Sequence, residues 1–331
     1  MLFGVIASSR PKNVALTYLL AGNFDYYLWN NGFSTRTNFS SQSSSASVAT
    51  GAGFDPSGQN LVMWSAFYRL QGWQFSNGLG TKYTNSSAIY ATSPTRTLAW
   101  HPSGNAVAAL ADGGTPRIGV WPFTSGVGFG TVYADPSPAI TTNSRDISFS
   151  PNGNTILYAP SSAPGLSAHS WSSGWGTMYT SPGDVPGGGR GVSWHPSGNV
   201  VVAATSLSPG VVAYPWSSGF GTKYANPSIS TSTTNTKIAF SPSGNNVAIS
   251  ASGSPYVHAY SWSSGWGTKY ANPATLPSTG AQSVIWTSDG NSVIIGTTNL
   301  DAYQWSGGFG TKYSNPASPP GSSTLQMSFN K

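Results

Sequence analysis

The feature that most constrains this chain is a phrase of about twelve residues that recurs along its whole length. Its closest copies are WSSGFGTKYANP at 216–227, WSSGWGTKYANP at 262–273, WSGGFGTKYSNP at 305–316 and WSSGWGTMYTSP at 171–182. Looser copies begin at Trp29, Trp73 and Trp121. The steps between the seven leading tryptophans are 44, 48, 50, 45, 46 and 43 residues. A period of roughly 40–50 residues is typical of a four-stranded propeller blade.

A second motif keeps the same period and marks a turn inside each repeat. Its copies are FDPSGQ at 54–59, WHPSGN at 100–105 and 194–199, FSPNGN at 149–154, FSPSGN at 240–245 and WTSDGN at 286–291. Pro, Ser, Gly and Asn in this order, between two apolar runs, favour a tight hairpin turn. The repeat that starts near 236 then reads as four strands, which we label a to d in chain order, with the sequences KIAF, NVAIS, YVHAYSW and TKYAN.

The sequence therefore predicts an all-β protein, a single seven-bladed β-propeller of four-stranded blades that spans 1–331. The blades are expected to start near residues 2, 47, 96, 145, 191, 236 and 282. The tail 322–331 reads as one more inner strand, and we expect it to join the first blade, so that the chain termini close the ring and leave no open sheet edge. Whether it replaces or flanks the N-terminal strand stays open at this stage.

Composition narrows the possible partners. Only 7% of the residues are charged, and the eight acids are all Asp. The net charge is +6, but the fourteen Lys and Arg are scattered singly. A nucleic-acid surface needs them clustered, so we expect no nucleic-acid partner.

Cysteine is absent, which excludes disulfides and thiolate metal sites. The apolar runs are too short for a signal peptide or a membrane span, so we expect no secretory route and no membrane insertion.

Two family resemblances follow from these motifs. The turn motif between two strands resembles that of WD-repeat and YVTN-type propellers, although the GH and WD dipeptides of true WD repeats are missing. The WSSGFGTKYANP phrase is similar to a repeat found in proteins of uncultured bacteriophages. That second resemblance implies a non-enzymatic, virion-associated structural or adsorption protein, as a tail, fibre or capsid-decorating component. It implies synthesis in the host cytoplasm, several copies in one assembly, and other virion proteins and a host-surface glycan as partners.

The residues that could act in catalysis or bind a metal do not form a recognisable active-site or metal-site pattern. The acids are Asp25, Asp55, Asp112, Asp135, Asp146, Asp184, Asp289 and Asp301, and the histidines are His101, His169, His195 and His258. No two acids recur together as a glycosidase pair would. The histidines lack the close spacing of a zinc site, and no serine stands in a nucleophile elbow. The sequence thus predicts no catalytic residue, no cofactor, no metal and no enzymatic activity.

Binding is expected where the repeats differ from one another. The turns between strands a and b and between strands c and d are nearly identical in every blade, whereas the b–c and d–a loops vary. Loops on a rigid scaffold commonly carry recognition, so we expect partners to contact the variable-loop face. Lys82, Lys223, Lys269 and Lys312 recur on the outer strand. We expect them to protect an exposed sheet edge, and the alternative is a role in ligand binding.

A second candidate site uses aromatic side chains at the c–d turn, on the rim of the ring. These residues are Phe129, Trp175, Phe220, Trp266 and Phe309. They could stack on sugar rings, or they could fill the space between blades together with the strand-c tryptophans, as large aromatics usually do. The sugar-stacking interpretation leads to an alternative function, a free-standing carbohydrate-binding propeller.

Overall fold

The fold is described from a computed structural model of the chain. It describes residues 12–17, 24–38, 51–65, 69–76, 78–88, 97–111, 117–228, 235–320, 324 and 326–329. These residues contain 27 strands in seven antiparallel sheets, which confirms the prediction of an all-β, seven-bladed propeller. The described segments contain no helix long and apolar enough to cross a membrane.

Blade 1 joins the two ends of the chain, and blades 2 to 4 follow in sequence order. In blade 1, strand a is β27 (Met327–Phe329), followed by β1 (Lys12–Thr17), β2 (Phe24–Trp29) and β3 (Phe33–Asn38). Blade 2 contains β4 (Gly51–Phe54), β5 (Asn60–Ser65), β6 (Arg69–Phe75) and β7 (Leu79–Lys82). Blade 3 contains β8 (Leu98–Trp100), β9 (Ala106–Leu110), β10 (Ile118–Thr124) and β11 (Gly128–Phe129). Blade 4 contains β12 (Ser144–Phe149), β13 (Thr155–Pro160), β14 (Ser167–Trp171) and β15 (Trp175–Met178).

Blades 5 to 7 complete the ring. Blade 5 contains β16 (Gly189–Trp194), β17 (Val200–Thr205) and β18 (Val211–Pro215), with a single bridge between Trp216 and Phe220 in place of a fourth strand. Blade 6 contains β19 (Asn235–Phe240), β20 (Asn246–Ala251), β21 (Val257–Trp262) and β22 (Trp266–Lys269). Blade 7 contains β23 (Ser283–Trp286), β24 (Ser292–Gly296), β25 (Asp301–Trp305) and β26 (Phe309–Lys312).

The C-terminal strand closes the ring. β27 pairs antiparallel with β1, with Ser328 opposite Ala15. It also contacts β23 of blade 7 and β4 of blade 2, and the Phe54 amide donates to Oγ of Ser328 at 3.1 Å. The tail therefore serves as strand a of the first blade. The N-terminal strand expected near residue 2 lies outside the described residues.

The a–b turns show why the repeated motif folds in this way. In blade 6 the Gly244 amide donates to the Ser241 carbonyl at 2.9 Å, and the Asn246 amide donates to Oγ of Ser241 at 3.1 Å. Gly244 has a φ of +77°, a left-handed conformation that glycine adopts without steric cost. The same glycine recurs at the same place in the other turns of this type, with φ between +70° and +78°.

Aromatic pairs fasten neighbouring blades together near the outer rim. The tyrosine that follows strand d in one blade packs edge-to-face on the strand-c aromatic of the next. The ring centroids are 5.0 Å apart for Tyr133 and Trp171, 4.9 Å for Tyr179 and Trp216, 5.4 Å for Tyr224 and Trp262, 5.0 Å for Tyr270 and Trp305, and 5.1 Å for Tyr313 and Trp29. Edge-to-face geometry is favoured by the ring quadrupole, so this contact explains why Trp and Tyr recur in the four closest copies of the long phrase. In blades 2 and 3 the strand-c position is taken by Phe75 and Phe123.

Candidate binding site in the central channel

The seven inner strands contact one another in turn around a central channel. Because strand side chains alternate, every second residue of each inner strand faces the channel axis. One row, towards the variable loops, consists of Gln326, Gly51, Thr97, Asp146, Gly191, Lys237 and Ser283. The next row consists of Ser328, Gly53, Ala99, Ser148, Ser193, Ala239 and Ile285. The channel wall is therefore mostly small or hydroxylic, with one acid and one base.

That acid and base form an ion pair across the channel. Nζ of Lys237 in blade 6 lies 2.5 Å from Oδ1 of Asp146 in blade 4. The carboxylate also accepts from the Val192 amide at 3.0 Å and from Oγ1 of Thr97 at 3.3 Å. Blade 5 stands between the partners and presents Gly191, whose missing side chain lets the inner strands of blades 5 and 6 approach closely.

A second polar side chain spans the channel wall in the same manner. Gln326 of the closing strand reaches past Gly51 of blade 2 to the backbone of Leu98 in blade 3. Its Nε2 donates to the Leu98 carbonyl at 2.7 Å, and its Oε1 accepts from the Leu98 amide at 3.1 Å. The amide side chain thus pairs with the Leu98 backbone as a neighbouring strand would. Together with the ion pair, it lines an inner cavity of about 280 Å³.

A larger cavity, of about 390 Å³, opens at the mouth of the channel on the face of the a–b turns. Its wall combines the hydroxyls of Ser148, Ser150, Ser193 and Ser328 with aromatic rings and turn prolines. The apolar part consists of Phe54, Trp100, Phe149, Trp194, Phe329, Pro56, Pro102 and Pro151. Trp100 and Phe329 are half-buried, so part of each ring is accessible. We call this cavity the channel mouth.

The hydroxyls of the channel mouth differ in their internal bonds. Oγ of Ser328 accepts from the Phe54 amide at 3.1 Å, and Oγ of Ser193 accepts from the Phe240 amide at 3.2 Å. The Ser148 hydroxyl makes only a long bond of 3.3 Å, to the carbonyl of the adjacent Phe149. Ser148 is therefore the hydroxyl with most remaining capacity for a ligand.

The other acids serve the scaffold. Asp55 accepts from the Asn60 amide at 2.8 Å and from Oγ of Ser57 at 2.6 Å, which fixes its own turn. Buried Asp301 is paired with Lys312 at 2.5 Å, and that ion pair and its hydrogen bonds hold the pKa of its carboxyl low although burial alone would raise it. Asp112 lies outside the described residues. Within the described segments no three His or Asp side chains come together as a metal site, and the expectation of no metal stays a prediction.

The histidines occupy two kinds of place. Nδ1 of His101 lies 2.7 Å from Oγ of Ser103, and its Nε2 lies 3.2 Å from the Gly153 carbonyl in the next blade. His195 repeats the contact within its turn, at 2.6 Å from Ser197. His169 and His258 are buried on strand c. Burial and the nearby Lys269 lower the pKa of His258 to about 4.

The rim aromatics predicted as a sugar site lie one to a blade and are all half-buried. Each packs edge-to-face on a strand-c aromatic of its own blade. The centroid distances are 5.4 Å for Phe129 and Phe123, 5.7 Å for Trp175 and Trp171, 4.9 Å for Phe220 and Trp216, 5.4 Å for Trp266 and Trp262, and 5.2 Å for Phe309 and Trp305. The structure does not bring them together in one site, and their role in binding stays a prediction. The channel mouth was not singled out from the sequence.

Sheets, ring closure and channel define the class of this protein as a seven-bladed, WD40-like β-propeller. No protein-family model matches the chain, and no curated protein matches it in sequence. Among solved structures it is similar to a putative 6-phosphogluconolactonase from Bacteroides uniformis, at 15% identity and a TM-score of 0.73, over 97% of this chain and 100% of that one. A second putative 6-phosphogluconolactonase, from Bacteroides fragilis, matches at 11% identity and a TM-score of 0.73, over 98% and 99%. A chain of the Mitotic Checkpoint Complex matches at 12% identity and a TM-score of 0.68, over 88% and 84%.

These similarities correct one prediction and limit another. The prediction that a propeller of this kind is not an enzyme is contradicted. Two propellers that match the chain almost end to end are named as putative enzymes. At 11–15% identity the likeness shows the fold alone, and function resides in sites rather than in folds. The WD40-like propeller fold expected from the turn motif is confirmed, whereas the phage-type repeat is not tested by these comparisons.

Proposed function

We propose that this propeller binds a neutral saccharide at its channel mouth. The observation that carries the proposal is a cavity of about 390 Å³ in which four serine hydroxyls lie among aromatic and proline surfaces. Small-molecule sites have volumes of roughly 300–1,000 Å³, and they combine apolar walls with a few placed polar groups.

The chemistry of the wall suits a sugar better than an ion. A sugar ring offers C–H faces that pack on aromatic rings and hydroxyls that both donate and accept. The hydroxyl of Ser148 can likewise both donate and accept a hydrogen bond. Asp55 is the acid that lines the channel mouth, and its oxygens already accept bonds from its own turn.

The setting we propose is a bacteriophage particle on which the propeller takes part in adsorption. The repeated WSSGFGTKYANP phrase supports this setting. The topology is compatible with it, because the channel mouth opens on the face of the a–b turns and leaves the opposite, variable-loop face for contacts with other virion proteins. Antibody-gold labelling of purified particles tests the setting. Label at a defined position supports it, and unlabelled particles with the protein present in the lysate contradict it.

Binding is tested separately, on an array of neutral glycans. We expect the wild-type protein to bind at least one of them, and Ser148→Ile to weaken that binding by about tenfold or more. Isoleucine should fold at this position because Ile285 occupies the same place in blade 7. Ser172→Ile, in the exposed c–d turn of the same blade, is the matched control and should bind as the wild type. Wild-type protein that binds no glycan, or equal binding by both variants, contradicts the proposal.

A further inference from the structure

A row of cations runs along the outer strands, opposite the second aromatic of strand c. Four of them have a partner in their own blade or in the preceding loop. Arg36 pairs with Asp25 at 2.6 Å, Lys223 with Asp184 at 3.3 Å and Lys312 with Asp301 at 2.5 Å, while Lys82 lies 5.3 Å from the ring centre of Trp73. This arrangement makes an opposite charge or an aromatic face the normal partner of an outer-strand cation.

Lys269 of blade 6 departs from that arrangement. It stands opposite Tyr260, as Lys312 stands opposite Tyr303. No carboxylate of the described residues forms an ion pair with it. The reason is a single substitution between repeats: where blade 7 has Asp301, two residues before the tyrosine, blade 6 has His258.

His258 is itself without a hydrogen-bond partner. The residue is 4% exposed, and neither Nδ1 nor Nε2 forms a hydrogen bond with any residue that the structure describes. Nε1 of Trp266, which packs against Tyr260 at 5.5 Å, is also buried and unbonded. Buried polar groups in folded proteins are nearly always hydrogen-bonded, so those that are not point to a missing partner such as an ion or a ligand.

We infer that this outer face of blade 6 binds a carboxylate group of a ligand between Lys269 and His258. The chemical class follows from the repeats, because a protein carboxylate takes the same position in blades 1 and 7, where Asp25 and Asp301 meet their cations. The ammonium of Lys269 supplies the charge and the imidazole N–H supplies a hydrogen bond. Lys269 is half-buried, so the ligand enters from the rim. This site is distinct from the channel mouth.

Calorimetric titration with sodium D-glucuronate, against D-glucose with sodium chloride at equal ionic strength, tests the inference. We expect glucuronate binding to depend on Lys269, and any glucose binding, which would take place at the channel mouth, not to depend on it. Lys269→Met should weaken glucuronate binding by about tenfold or more, since a charge-assisted bond is lost. Lys82→Met, which changes an outer lysine stacked on an aromatic, should bind as the wild type. Glucuronate that does not bind, unchanged glucuronate binding by Lys269→Met, or glucose binding that falls as much as glucuronate binding in this variant, overturns the inference.

A second variant covers the case in which Lys269→Met fails to fold. His258→Asp supplies the chain's own carboxylate, as in blade 7, and should raise the melting temperature while it blocks glucuronate. A folded His258→Asp protein that still binds glucuronate overturns the inference. N-Acetylglycine distinguishes the source of the carboxylate: binding of glucuronate alone indicates an acidic sugar, and binding of both indicates any accessible carboxylate. Ser148→Ile should leave this binding unchanged, which separates it from the saccharide proposal.

Discussion

The ammonium of Lys237 lies 2.5 Å from the carboxylate of Asp146, although blade 5 stands between the two blades that carry them. The pair is largely buried, with side-chain exposures of 15% and 10%. Removing one partner of a buried pair leaves an uncompensated charge, which costs about 3–5 kcal/mol. Lys237→Met should therefore lower the free energy of unfolding by about 3 kcal/mol in urea titrations. The double variant Lys237→Met, Asp146→Asn should recover part of that loss, and a single variant as stable as the wild type would contradict this account.

The local features of the fold were predictable from the sequence because they depend on neighbouring residues. The a–b turns need a glycine with positive φ at one fixed place, and Gly244 and its counterparts stand there. The Trp and Tyr of the long phrase recur because blades 3 to 7 each repeat the same contact with the next blade. Both signals are local and periodic, and they were sufficient to predict the number of blades.

The channel was not predictable in the same way. Asp146 lies inside β12 and meets a lysine 91 residues away. Gln326 bonds to Leu98 across a separation of 228 residues. Such pairs depend on how closely the inner strands approach when the ring closes, and no spacing along the chain encodes that distance.

The outer strands also differ in detail from the prediction. Strand d of blade 6 was expected at 268–272, but β22 runs from Trp266 to Lys269. Trp266 pairs with Trp262 and Lys269 with Tyr260, so the strand carries a bulge. A bulge adds a residue without changing the composition, so nothing in the sequence indicated that the strand begins inside the expected turn.

Gly191 gives a test of how tightly the inner strands pack. A Cβ at this position would lie 2.8 Å from Cα of Lys237, a backbone atom that cannot move aside cheaply. Gly191→Ala should therefore destabilise the protein by about 1–3 kcal/mol, measured as the midpoint of urea unfolding. Gly183→Ala is the control, because a Cβ there meets no atom within 4 Å. Equal stability of the two variants would show that the channel wall adjusts more easily than the structure indicates.

His258 makes stability depend on pH. In the unfolded chain it takes up a proton near its ordinary pKa of 6.5, whereas in the folded protein burial and Lys269 lower its pKa to about 4. The unfolded state therefore binds more protons between these values, and stability falls as the pH drops through that window, by about 3 kcal/mol in total. Burial also lowers the pKa of His101, His169 and His195, so the measurement compares wild type with His258→Gln. The variant should lose less stability than the wild type between pH 6.5 and 4. If the free energies of unfolding of the two proteins fall in parallel over this range, His258 is not the group responsible.

The rim aromatics can be tested against their structural role. Trp266 packs on Trp262 and Tyr260, so Trp266→Ala should lower the free energy of unfolding by about 2–3 kcal/mol, less than the 3–5 typical of a fully buried ring. Trp266→Phe introduces the residue type that blade 7 has at the same position, Phe309, and should cost less than about 1 kcal/mol. If Trp266→Ala keeps full stability but abolishes glycan binding, the rim rather than the channel mouth is the sugar site.

Ring closure rests on three residues of strand β27, and ending the chain after Gln326 removes them. The truncated protein would expose an edge of β1 and the flanks of β4 and β23, which β27 contacts in the complete ring. Exposed edges pair with other chains, so we expect a lower melting temperature and concentration-dependent aggregation in size-exclusion chromatography. Ser328→Ala, which removes only the hydrogen bond to the Phe54 amide, should cost about 1 kcal/mol and keep the elution volume of the wild type. A truncated chain that melts like the wild type would mean that other contacts hold the ring closed.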